Sequence, residues 1–232
     1  MPTVWDHTWT DQDIVPLTDE AEHWPYIAQY LSPPGRILEA GCGLARWVSF
    51  LEKKGFDSFG VDFSPLAIQR SLQVWPGMKL VRGDLRALPF ENGFFRGIVS
   101  FGAIEHDEEG PDKALKELHR VLAPGGIMYC TVPCINGLRR LGYLALEDWI
   151  VCNRLIRRLT GRSPEVGFFE YVFTPQEYRD VLIAAGFSVV ELIPLCPMEI
   201  PFLTRGKLLT AIWRRWPWFL CHMVAAVCRK PG

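Results

Sequence analysis

Three carboxylates punctuate apolar runs in the first half of the chain: Glu39 in Ile37-Leu38-Glu39-Ala40-Gly41-Cys42-Gly43, Asp62 closing Phe59-Gly60-Val61-Asp62, and Asp84 closing Lys79-Leu80-Val81-Arg82-Gly83-Asp84. An apolar run that enters a glycine turn and then a helix brings backbone close to a ligand, because Gly41 and Gly43 have no Cβ to push it away. The helix that follows, from about Leu44, aims its unpaired N–H groups into the same space. An acid about twenty residues further on is what doubly wound folds bring onto a ribose, and Asp62 has that spacing. The chemistry is that of a nucleoside site. Glu39 refines it: a carboxylate just ahead of the first glycine repels a pyrophosphate and suits a ligand that carries an ammonium group. The residues after Gly43 are Leu44, Ala45, Arg46 and Trp47, so the dinucleotide pattern Gly-x-Gly-x-x-Gly is incomplete. Both points disfavour a nicotinamide oxidoreductase.

The elements that must position these groups alternate as strands and helices over residues 36–132, the pattern of a parallel sheet with crossover helices. Right-handed crossovers put helices on both faces. A helix is predicted over Leu44 to Lys54, ending at Gly55, and Ser64 with Pro65 caps the start of the next. Asp112 to Leu122 carries Leu115, Leu118, Val121 and Leu122 at helical spacing before Pro124 and Gly125 stop it. Thr174-Pro175-Gln176-Glu177-Tyr178 combines a threonine cap, a first-turn proline and a capping-box glutamate. Gly186 then leads into a strand over Phe187 to Ile193, and the last strand is expected over His222 to Cys228.

Taken in order, these motifs resemble the class I S-adenosylmethionine-dependent methyltransferases, of the small-molecule, methyltransferase type 11-like kind. The first motif of that family is acid-x-Gly-x-Gly-x-Gly; here Ala45 stands in the place of the third glycine. The likeness runs from about Ile37 to Val132 and resumes around Phe173. It includes the fourth strand and loop Gly97-Ile98-Val99-Ser100-Phe101-Gly102-Ala103-Ile104-Glu105-His106 and the helix end Leu118 to Gly126 with its Pro-Gly-Gly turn. The resemblance implies an α/β Rossmann-like, doubly wound, mostly parallel seven-stranded sheet with an antiparallel final strand, helical insertions forming a lid, and S-adenosylmethionine as cofactor. It also implies roles. Glu39 would lie near the methionine end; Gly41, Cys42 and Gly43 would line the cofactor, with Cys42 a small side chain packed beneath it; and Asp62 would hold the ribose hydroxyls. Asp84 and Leu85 would frame the adenine, Phe63 would lie against its face, and Phe101 and Gly102 would belong to the loop that passes the methionine moiety.

Methyl transfer from a sulfonium is an in-line displacement that relieves a positive charge, so alignment and exclusion of water carry much of the rate. A hydroxyl acceptor also needs a base. His106 is the first candidate, since it follows the fourth strand by a few residues and an imidazole titrates near neutrality. Glu105 and Tyr171 are further catalytic candidates, with Glu170 beside the latter. The Glu-His pair recurs in the resembling family across different substrates, which leaves support of the cofactor or loop as the other role for His106. The expected reaction is methyl transfer to a small or amphiphilic acceptor, at oxygen.

Composition bounds the alternatives. The 232 residues, 49% hydrophobic and 22% charged, are those of a globular chain, and a net charge of −1 implies no polyelectrolyte partner. They are expected to form one methyltransferase domain over 1–232, with an N-terminal arm over 1–35, a cofactor-binding core over 36–133, a helical insertion over 134–172, and a C-terminal part over 173–232 that contains a second insertion over 194–220. Both insertions set arginines among leucines and aromatics, which suits a lid over the acceptor pocket or an added helical layer. For 194–220 a peripheral contact with an anionic membrane is also weighed; Arg214, Arg215 and Pro217 interrupt its apolar run, so a spanning helix is not expected. The 7 cysteines lack paired Cys-x-x-Cys spacing, so neither a structural zinc site nor a disulfide framework is expected, and no metal is assigned. Met1 to Thr10 has no basic-then-apolar run, hence the expectation of a cytoplasmic or membrane-peripheral protein. The tryptophans Trp5, Trp9 and Trp24 either close over the cofactor or pack as core. Three other functions stay in view: a non-catalytic cofactor-binding subunit of a partner, an enzyme acting on a lipid-linked substrate, and a nucleic-acid methyltransferase. The last is opposed by Phe101-Gly102-Ala103-Ile104 standing where amino-methylating nucleic-acid enzymes carry Asn/Asp-Pro-Pro-aromatic. The oligomeric state is left open.

Overall fold

A computed structural model of the chain describes residues 15–137, 170–197 and 213–232. Trp5, Trp9, most of the first insertion and residues 198–212 of the second lie outside the described residues. The strands are β1 (Arg36–Ala40), β2 (Asp57–Asp62), β3 (Lys79–Arg82), β4 (Phe95–Phe101), β5 (Leu122–Pro133), β6 (Ser188–Pro197) and β7 (Cys221–Arg229). They form one seven-stranded sheet in the order β3-β2-β1-β4-β5-β7-β6. The pairs from β3 to β5 are parallel, whereas β7 is antiparallel to both β5 and β6. The expected fold, with its antiparallel final strand, is the one observed.

Alternation along the strands divides the core between two faces. Leu38, Ile98, Met128, Cys130 and Ala226 face one side, with Leu115, Leu118, Tyr178 and Leu182 packed on them. Ile37, Val99, Tyr129 and Ala225 face the other, under Trp47, Phe50 and Leu51. The helices around the sheet are α1 (Trp24–Tyr30), α2 (Arg46–Lys53), α3 (Pro65–Val74), α4 (Asp112–Val121), α5 (Pro175–Ala184) and the short α6 (Pro217–Leu220). Trp24 is resolved in favour of the core: its ring meets Phe50 edge-on at 5.2 Å.

Start signals read from sequence are used as chemistry predicts. Ser64 caps α3 by accepting the Ala67 N–H at 3.1 Å. Thr174 and Glu177 form the reciprocal capping box of α5 at 3.2 and 2.9 Å. Several boundaries differ: β6 runs to Pro197, past Ile193 and into the expected second insertion, and two others have a clear local cause. Helix α2 begins at Arg46, not Leu44, because Ala45 adopts a left-handed backbone with φ +54° before the helix starts. The Pro124-Gly125-Gly126 turn is absorbed into β5 as an irregularity: Leu122 pairs with Phe95, and pairing resumes only at Ile127 with Gly97. There Gly125, at φ +74°, donates its N–H to the Lys230 carbonyl. Among the described residues no helix is long and apolar enough to cross a membrane.

Candidate active site

Strand order reverses between β1 and β4, and ligands of open α/β sheets bind in the crevice that this leaves at the carboxyl ends of the strands. A cavity of ≈ 410 Å³ opens there, lined by Gly41 after β1, Asp62 and Phe63 after β2, Asp84, Leu85 and Arg86 after β3, and Phe101 to Ile104 with His106, Asp107 and Glu108 after β4; Ala114 of α4 completes it. That volume lies within the range of about 300–1,000 Å³ usual for small-molecule sites.

The turn after β1 is held by hydrogen bonds to β2. The Gly41 and Cys42 N–H groups both donate to the Val61 carbonyl at 2.9 Å, and the Gly43 N–H donates to Asp62 Oδ2 at 2.7 Å. Gly41 is at φ +75°, and a Cβ on it would sit 2.4 Å from that of Ala103, so glycine is required there by conformation and by space. The other oxygen of Asp62 accepts the Ser64 N–H at 2.8 Å. The two bonds fix the carboxylate at the cavity. Phe63, 50% exposed, presents an open ring face at the rim.

The predicted residues divide into those that line the cavity and those that stand behind it. Gly41, Asp62, Phe63, Asp84, Leu85, Phe101, Gly102 and His106 line it. Glu39 does not. It is buried, and its Oε2 accepts the Val48 N–H at 2.9 Å, in the first turn of α2. Burial pushes the Glu39 carboxyl well above its ordinary range, against the pull of that N–H. Cys42 is also buried, in a small cluster with Ala45, Val48 and Ile68, and burial pushes its thiol well above the ordinary value, which keeps it protonated and unreactive. Gly43 serves the turn through its bond to Asp62.

Asp84 is at the cavity but already engaged. Its two oxygens take the Arg86 Nε at 3.0 Å each and Nη2 at 2.7 Å, and Oδ1 accepts the Arg86 backbone N–H. The guanidinium holds the Asp84 carboxyl below its ordinary range. Arg86, which also approaches Asp107 at 3.7 Å, went unnoticed in the sequence. Its signal was an arginine two residues past a strand-end aspartate.

The loop after β4 brings the catalytic candidates together. Gly102, at φ +63°, turns the chain into a 3-10 turn over Ile104–His106, which sends Glu105 inward and His106 to the cavity wall. Glu105 is 1% exposed; burial pushes its carboxyl up to about 8, with the charge of Glu170 adding to the effect. Tyr171 donates its N–H to the Glu105 carbonyl at 2.9 Å and its hydroxyl to the Glu108 carbonyl at 2.7 Å. The ring is buried and outside the cavity lining, so the geometry gives it a clamping position. Glu170, next to it, is carried to Glu105 and His106.

Residues 18–192 match a family model described as a methyltransferase domain. The demethylmenaquinone methyltransferase of Geobacillus stearothermophilus is 30% identical over 182 residues, covering 68% of this chain and 73% of the relative. The chloroplastic tocopherol O-methyltransferase of Arabidopsis thaliana is 32% identical over 123 residues, 49% of this chain and 34% of that one. Among solved structures, a methyltransferase in complex with the Trm112 methyltransferase activator of Haloferax volcanii is similar at TM-score 0.68 and 20% identity, over 100% of both chains. At that identity the likeness speaks for the fold alone.

Proposed function

Because this chain belongs to the class I S-adenosylmethionine-dependent methyltransferases, we propose that its acceptor is a small amphiphilic molecule, a phenol or hydroquinone with an apolar tail, methylated at oxygen. When bound, S-adenosylmethionine supplies a methyl group on a positively charged sulfur that departs as a neutral thioether. The cavity fits that donor: Asp62 sets its carboxylate at the wall, Phe63 offers an exposed ring for the adenine, and Gly41 and Gly102 bring bare backbone to the wall.

The observation that carries the acceptor reading is His106 on the cavity wall with Glu105 and Glu170 gathered beside it, a proton-handling group at the cavity edge. For O-methylation the acceptor hydroxyl loses its proton at this wall, its oxygen bonds to the methyl carbon, and the carbon–sulfur electrons stay with sulfur. Phe101, stacked on Trp47 at 4.7 Å, helps close the site from water. The demethylmenaquinone and tocopherol methyltransferases among the relatives support a ring bearing an apolar tail. So do the exposed Trp216, Trp218 and Phe219 beside Arg214 and Arg215, a surface suited to the interface of an anionic membrane in which such a molecule dissolves.

The test has two arms. Calorimetry with S-adenosylhomocysteine is expected to show one site, weakened about 10–100-fold by Asp62→Ala, since hydrogen bonds to a charged group are worth about 1.5–3 kcal/mol each. Labelled methyl transfer to a prenylated hydroquinone in anionic vesicles, with the product located by mass spectrometry, is expected to give an ether. Carbon methylation alone, or equal turnover of an untailed phenol in solution, would overturn the acceptor assignment.

A further inference from the structure

Glu105, His106 and Glu170 each offer a ligand atom, and these atoms lie within 4.8 Å of one another. The first two are adjacent in the 3-10 turn after β4; the third is brought back by the segment that follows the first insertion. That return is fixed by backbone bonds on both sides: Tyr171 N–H to the Glu105 carbonyl at 2.9 Å, Phe173 N–H to the Pro133 carbonyl at 3.0 Å, and Ile135 N–H to the Phe173 carbonyl at 2.8 Å. The meeting of the three groups is therefore built by the fold, not left to a loose loop.

A second observation is independent of the proximity. Glu105 is 1% exposed, and among the described residues its Oε2 has no hydrogen-bond partner. A buried carboxylate oxygen left without a donor costs free energy, and a second carboxylate facing it adds to the cost. A cation between them would remove both penalties. We propose that Glu105, His106 and Glu170 bind a divalent cation of the Mn²⁺ class at the edge of the cofactor cavity, where its open positions take the acceptor oxygen.

The donor set fits. Carboxylate oxygens suit Mn²⁺, and three protein ligands leave further positions open on a six-coordinate ion. Donors about 2.1 Å from a six-coordinate ion stand about 3 Å apart when cis and about 4.2 Å apart when trans, so small side-chain rotations close this group onto an ion. His106 lines the cavity, which sets the open positions toward the ligand space. Resting on the acceptor reading above, the cation deepens it: a bound metal acidifies a phenolic hydroxyl, so the proton leaves to water at neutral pH while the oxygen is held for attack on the methyl carbon. His106 then acts as a ligand. The favoured acceptor carries a second oxygen next to the reacting hydroxyl, able to chelate.

The test titrates Mn²⁺ into the chelator-treated full-length chain and follows free ion by electron paramagnetic resonance, with S-adenosylhomocysteine affinity measured on the same samples. One Mn²⁺ per chain is expected, with affinity lowered about tenfold or more in Glu170→Gln, a substitution at a partly exposed position, and in Glu105→Gln. Cofactor-product affinity is expected to be unchanged in both, and catechol is expected to alter the bound-ion spectrum of the wild type only. Protein that binds S-adenosylhomocysteine but not Mn²⁺, or Mn²⁺ equally in wild type and Glu170→Gln, overturns the cation site and leaves the methyltransferase reading standing. Loss of both overturns both.

Discussion

Substituting Gly41 probes the turn on which the site depends, and its two costs can be separated. Gly41→Ala places a side chain at φ +75°, a conformation that costs an L-residue about 1–2 kcal/mol. It also places the new Cβ 2.4 Å from the Cβ of Ala103, which forces the β4 loop outward, and overpacking of that kind costs about 1–3 kcal/mol. The expected loss is about 2–5 kcal/mol, a large part of the stability of an ordinary domain. Ala103 sits at φ −124°, where glycine brings no special strain, so Ala103→Gly removes the collision and leaves the backbone cost. The double variant is therefore expected to recover about 1–3 kcal/mol relative to Gly41→Ala alone, a coupling that a double-mutant cycle reads directly. Urea unfolding of the four proteins gives the energies. Calorimetry with S-adenosylhomocysteine gives the functional side, where Gly41→Ala is expected to bind at least about tenfold more weakly because both residues line the cavity. Additive effects, or Gly41→Ala within about 0.5 kcal/mol of wild type, would refute the geometric argument.

Two further outcomes follow from local chemistry. Asp84→Asn removes the clamp on Arg86; with side chains 37% and 44% exposed, the pair is expected to contribute less than about 1 kcal/mol at neutral pH. Because Arg86 holds the Asp84 carboxyl below its ordinary range, that contribution is present above the unfolded value of about 4 and is lost as pH falls through the lowered one. Urea midpoints of wild type and variant should thus differ by a constant amount across neutral pH and converge in acid; a gap that widens on acidification would contradict the assignment. Thr174→Ala breaks the capping box of α5 and is expected to cost about 1 kcal/mol by thermal or urea unfolding, with S-adenosylhomocysteine affinity unchanged, since no residue of α5 lines the cavity.

Which strand ends border the cavity was largely legible from local pattern. Strand-end acids at Asp62 and Asp84 and glycines at Gly41 and Gly102 all line the cavity, because a parallel sheet sends every strand's carboxyl end to the same edge. Side-chain direction was not legible. Glu39 reads in sequence as a ligand acid, yet its carboxylate turns back to the Val48 N–H; an orphan helix donor at the start of α2 competes for it, and no spacing rule states which wins. Asp84 reads as framing the adenine with Leu85, and sequence does not show that Arg86 folds onto its carboxylate. Tyr171 reads as a catalytic phenol and is spent on the Glu108 carbonyl. Ala45 in the third glycine's place still adopts the left-handed conformation, at φ +54°, because the turn bonds around it over-determine the backbone.

The order of strands, glycine turns and capped helices is written in residues close together in the chain, and from it come the α/β architecture, the edge of the sheet that binds, and the family to which the chain belongs. Such features are set by backbone conformation and by the two-residue and helical periods, which are local. What the tertiary structure alone decided is which side chains meet. Glu170 comes to Glu105 and His106 because the segment after the first insertion hydrogen-bonds beside the end of β5, and Gly41 meets Ala103 because β1 pairs with β4 across an intervening pair of strands in sequence. Those meetings depend on sheet register and crossover packing, which join segments distant in sequence and leave no mark in either segment read alone.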